Sequence, residues 1–95
     1  MPEAVREVPL SNTYGLHARP ASRIVGLAAR YKAAITLANG KGRAVNAKSI
    51  MEVLTLGATK GAVLTIRAQG EDAEAAVAEI TALIVSGFGP EEGAV

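Results

Sequence analysis

The sequence predicts an α+β fold of four strands and three helices in the order β-α-β-β-α-β-α, with the helices covering one face of the sheet. Two patterns carry this expectation. Apolar and polar residues alternate over short segments at residues 4–10, 35–38, 43–47 and 62–69, the mark of half-buried strands. In contrast, Ala21, Ile24, Val25, Ala28 and Tyr31, and later Ala73, Ala76, Val77, Ile80, Leu83 and Ile84, recur at the spacing of an amphipathic helix.

In the first segment Val5, Val8 and Leu10 are interleaved with Arg6 and Glu7, and Pro9 limits the strand near its end. Residues 11–15 are rich in small and turn-forming residues. The first helix should start just after His17, because Pro20 then falls in the first turn, where a missing backbone N–H costs little. Asn39-Gly40 is a hairpin signal, since both residues tolerate positive φ, and a strand through Arg43, Val45 and Ala47 should pair back. Residues 49–56 are apolar and short enough to be strand or helix. A short helix is favoured, with Asn46 and Ser49 as capping side chains and Gly57 as a stop. Ile50, Met51, Val53 and Leu54 cannot all face one way, so part of this surface should stay exposed. After the strand at 62–69, Glu71 and Asp72 suit a helix N-terminus through the dipole, and the last helix reaches about Gly87. The stretch from Phe88, and 89–95 in particular, reads as a loose tail on a single domain spanning 1–95.

Composition narrows the function. Aromatic residues make up 3% of the chain against 49% hydrophobic, which suits a small aliphatic core and leaves little for a deep pocket. A net charge of +1 removes the basic excess that general nucleic-acid binding needs. With no cysteine, disulfides, thiolate nucleophiles and cysteine-based zinc sites are excluded. Residues 1–7 do not read as a signal peptide, and the apolar stretch at 80–85 is far below the roughly 20 residues of a membrane span. A cytoplasmic monomer without membrane insertion is expected. One histidine among scattered carboxylates offers no metal site, and no cofactor is called for.

The single histidine, His17, sits where the loop becomes a helix, in Gly15-Leu16-His17-Ala18-Arg19-Pro20-Ala21. An imidazole, with an unperturbed pKa of about 6.5, can be a neutral nucleophile near pH 7. Arg19 and the first N–H groups of the helix, those of Ala18 and Arg19, would form an anion site beside it. A nucleophile next to an anion site suggests phosphate chemistry, whereas position alone also allows a purely structural histidine.

This motif resembles the active-site signature of HPr, the histidine-containing phosphocarrier family of bacterial phosphoenolpyruvate-dependent sugar phosphotransferase systems. The likeness continues through Val45-Asn46-Ala47-Lys48-Ser49-Ile50-Met51, Leu56-Gly57 and Gly61, and so covers nearly the whole chain. It implies an open-faced β-sandwich with a four-stranded antiparallel sheet. It also implies phosphorylation of His17 on Nδ1 by phosphorylated enzyme I, transfer to enzyme II A components for sugar uptake, and stabilisation of the phosphoryl oxygens by Arg19 and backbone N–H groups. On local sequence Ser49 is a helix cap; by resemblance it matches the serine modified by HPr kinase/phosphorylase, with a catabolite regulator as a further partner. A phosphate there would add a charge of roughly −1.5 to −2. Arg23, Lys48, Ile50, Met51 and Leu54 are ordinary surface residues taken singly. Together they suit a basic-rimmed apolar patch for acidic partners, and the resemblance makes it the docking surface of enzyme I and the enzyme II A components.

Two residues depart from the family pattern. Tyr14 stands where an asparagine or serine is usual, three positions before the histidine, and could pack over the loop or offer its hydroxyl. Glu52 replaces a small residue often found beside the serine motif. Two other functions stay open on the residues alone: a regulatory phosphocarrier without a transport role, and a small hydrolase using His17 as general base, which would need a nucleophile, an orienting carboxylate and a pocket.

Overall fold

The computed structural model describes residues 2–88, and the seven expected elements occur in the expected order. They are β1 (Glu3–Pro9), α1 (Ala18–Ala28), β2 (Ala34–Asn39), β3 (Val45–Asn46), α2 (Ile50–Leu54), β4 (Val63–Gln69) and α3 (Ala73–Val85). The strands form one antiparallel sheet in the order β1-β4-β2-β3. Register follows from the alternation. Val8 lies opposite Leu64, Leu37 opposite Ile66 and Ile35 opposite Ala68, all buried, while Val5, Arg67 and Thr36 line up on the other face. A slip of one residue would turn the whole buried set to solvent.

The helices cover the apolar face. α3 packs across β1 and β4, α2 packs against β3, and α1 packs against both helices. Ile24, Ile66, Ile80, Ile84 and Leu64 are fully buried, and each such side chain stabilises the fold by about 1.5–3 kcal/mol over an exposed one. The opposite sheet face is open and carries the Arg67–Glu3 ion pair at 2.8 Å.

Three details differ from the sequence expectations. β3 is two residues long, so Arg43 and Ala47 lie outside it, although the Ala47 N–H still bonds the Ile35 carbonyl at 2.9 Å. Asn39 does not turn. It stays in β2 opposite Leu64, and the reversal is made by Gly40, at φ +63, in a turn closed by the Gly42 N–H on the Asn39 carbonyl. Asp72 stands at the start of α3 as expected, and its carboxylate also accepts the Lys32 and Ala33 backbone N–H groups at 2.8 and 2.9 Å.

The third concerns Phe88, expected as the start of a loose tail. It is fully buried. Gly87, at φ +76, ends α3, with the Phe88 N–H on the Leu83 carbonyl and the Gly87 N–H on that of Ile84. This paired bonding turns the residue after the glycine back onto the helix, and Arg23 donates to the Phe88 carbonyl. The rest of the expected tail, 89–95, lies outside the described residues.

Candidate functional site

The loop ahead of His17 is held in place by backbone. The Gly15 N–H bonds the Asn12 carbonyl at 3.2 Å, and Asn12 Nδ2 returns a bond to the Gly15 carbonyl at 2.7 Å. Leu16, buried, donates its N–H to the Ala58 carbonyl at 3.0 Å. Gly15 has φ +69, and a Cβ there would stand 2.6 Å from that same carbonyl oxygen. Only glycine fits both the backbone angle and the space.

From this fixed loop the chain enters α1 with His17 as the N-cap residue, extended at φ −88 and ψ −168. Its carbonyl takes the Ala21 N–H at 3.0 Å, closing the first helical turn, while its side chain does not cap the helix. The imidazole is half-buried, with Nε2 on the sheltered side. Ala18 and Arg19, both exposed, are the first two helical residues. Helical bonding gives their N–H groups no acceptor within the helix, so they are donors at the positive end of the dipole. The ring of Tyr14 meets that of His17 edge to face, with centroids 6.0 Å apart and planes at 84°.

The second motif builds α2. Ser49 is its N-cap, with Oγ accepting the Glu52 N–H at 3.3 Å. Glu52 reaches back with Oε1 to the Asn46 N–H at 3.0 Å, and Asn46 Oδ1 takes the Lys48 N–H at 2.9 Å. Val53 faces inward; Met51 is 73% exposed, and Ile50 and Leu54 are partly so. α2 packs on α1, and the Leu16–Ala58 bond ties the segment after α2 to the residue before His17. The two motifs therefore belong to one side of the molecule. Two of the cations expected on this surface also hold the fold: Lys48 Nζ donates to the Tyr31 carbonyl at 2.7 Å, and Arg23 to that of Phe88.

Asn12 is a site residue that the sequence reading missed. Its signal was an asparagine three residues ahead of a glycine in a turn-forming stretch, where a side-chain amide can replace a backbone partner.

The sequence profile of the PTS HPr component phosphorylation site matches residues 4–86. The chain belongs to the HPr family. Among relatives, it is 40% identical over 79 residues to the phosphocarrier protein HPr of Haemophilus influenzae, covering 83% of this chain and 92% of that protein. It is 42% identical over 90 residues to the multiphosphoryl transfer protein of Salmonella typhimurium, covering 93% of this chain but 23% of the relative. The chain thus spans about a quarter of the length of the multiphosphoryl transfer proteins it matches. In structure it resembles crystalline HPr-C-His from Thermoanaerobacter tengcongensis, with a TM-score of 0.84 and 38% identity over 96% of this chain and 99% of that one. The HPr architecture is therefore present here in full: a four-stranded antiparallel sheet with three helices. Among the described residues no helix is long and apolar enough to cross a membrane, and no three His, Cys, Asp or Glu side chains are grouped to hold a metal.

Proposed function

We propose that this chain folds as a single HPr unit and is a phosphocarrier of the phosphotransferase system. It accepts a phosphoryl group on His17 from phosphorylated enzyme I and passes it to enzyme II A components for sugar uptake. The observation that carries this reading is the setting of His17, a half-buried imidazole at the N-cap of α1 beside the first N–H groups of the helix. Phosphoryl transfer needs a positioned acceptor and donors for the phosphoryl oxygens rather than elaborate machinery. Burial of Nε2 supports Nδ1 as the attacking nitrogen. In-line attack by Nδ1 breaks the bond to the enzyme I phosphohistidine, and the oxygens come to rest against the Ala18 and Arg19 N–H groups and the Arg19 guanidinium. Each charge-assisted bond is worth roughly 1.5–3 kcal/mol, enough to hold the group on an open surface and still release it.

The exposed Ile50, Met51 and Leu54 of α2, with Lys48 just ahead of α2 and Arg19 and Arg23 on α1, which packs against it, are the surface on which enzyme I and the enzyme II A components dock. Ser49, on the same surface, is the site for an HPr kinase and, once phosphorylated, for a catabolite regulator. A cytoplasmic site of action fits all of these partners. The hydrolase reading is weaker. It needs an orienting carboxylate on His17, whereas Asp72 is bonded to the Lys32 and Ala33 backbone, Glu52 to the Asn46 N–H and Glu3 to Arg67. The test is a relay with labelled phosphoenolpyruvate, enzyme I, this protein and an enzyme II A component. The label should reach the II A component only when this protein is present, and a relay that stops at enzyme I overturns the reading.

A further inference from the structure

The geometry points to Tyr14 as a positioning residue for the phosphoryl acceptor, an inference that rests on the reading of His17 given above. Tyr14 is 62% exposed, so the core does not account for its ring. Its backbone lies inside the turn closed by the reciprocal Asn12–Gly15 bonds and anchored to Ala58 through Leu16. The ring therefore projects from a fixed base and meets the His17 imidazole at 6.0 Å and 84°, the arrangement that aromatic quadrupoles favour. Packing edge to face against the imidazole, the Tyr14 ring bears on how His17 is turned. We infer that this contact holds the imidazole in the orientation that presents Nδ1 to the donor, lowering the rotational freedom lost on the way to the transition state.

Two variants separate this role from a docking role. Tyr14→Phe keeps the ring and loses the hydroxyl; Tyr14→Ala loses both, at an exposed position where the fold survives. The first readout is NMR of the unphosphorylated protein, following the His17 ring protons and their ring-current shifts. The second is the steady-state rate of phosphate acceptance from enzyme I. Tyr14→Phe should keep the His17 resonances near their native positions and kcat within about twofold. Tyr14→Ala should shift those resonances and lower kcat by about three- to tenfold, the range an aromatic pair supplies, with KM unchanged. Unmoved His17 resonances in Tyr14→Ala, or a change in KM alone, overturn the proposal. The NMR arm needs no phosphoryl transfer. A native protein that accepts no phosphate would sink the phosphocarrier reading, and the Tyr14 contact would still be tested by NMR.

Discussion

The backbone N–H of Leu16 bonds the carbonyl of Ala58 at 3.0 Å, joining the residue before His17 to the loop that follows α2. This bond needs a close approach that only Gly15 permits, since a Cβ there would lie 2.6 Å from Ala58 O and 2.9 Å from Thr59 Cα. Gly15→Ala should therefore both destabilise the fold and misplace His17. Strain at a positive φ costs on the order of 1–3 kcal/mol, and displacing backbone adds to it. A fall in Tm on the order of 10 °C together with slower phosphate acceptance is expected from thermal melts and enzyme I assays.

Phe88 closes the core from the far end of the chain. It is fully buried after the α3 stop, and its carbonyl accepts from Arg23 on α1. Phe88→Ala should cost about 3–5 kcal/mol, a large share of the roughly 5–15 kcal/mol of a whole domain. Urea unfolding measures this directly. Arg23→Ala, which removes only the tether, should cost much less.

Asp72 links stability to pH. The Lys32 backbone N–H holds its carboxyl below the usual aspartate range; desolvation opposes this, and the Ala33 N–H adds to it. With the folded pKa below the unfolded value of about 3.9, the contribution is fully present above that value. It is lost as pH falls through the lower folded pKa. Urea midpoints should place Asp72→Asn below the native protein at pH 6, with the gap closing towards pH 3.

Ser49 and Glu52 share one small network, in which Ser49 Oγ takes the Glu52 N–H and the Glu52 carboxylate takes that of Asn46. Ser49→Ala should lower stability by about 1 kcal/mol through loss of the cap, while phosphate acceptance at His17 stays within about twofold. The Glu52 carboxylate also opposes a new negative charge at Ser49. Glu52→Gln should therefore be labelled faster than the native chain by a purified HPr kinase with ATP, as followed by mass spectrometry.

Most of the fold was legible because each element carries its own periodicity. The α1 start came from Pro20, and the α2 choice came from Ser49 and Gly57. What was missed depends on residues far apart in sequence. The length of β3 is set by pairing with β2 alone, and the turning inward of Phe88 depends on Gly87 and on Arg23 of α1. The bonds from Asp72 reach back some forty residues to the end of the first helix region. At the candidate site, the two motifs point to His17, Arg19 and Ser49. The Asn12 clasp and the Tyr14 ring contact are matters of loop conformation, which composition does not encode.

Nδ1 of His17 is the atom on which the phosphoryl group is expected. After phosphorylation by enzyme I and phosphoenolpyruvate, phosphorus and imidazole NMR identify the modified atom. One acid-labile phosphoryl group on His17 Nδ1, absent from His17→Ala, is the result expected. An acid-stable phosphate, a phosphoryl group on Nε2, or labelling that persists in His17→Ala would contradict it.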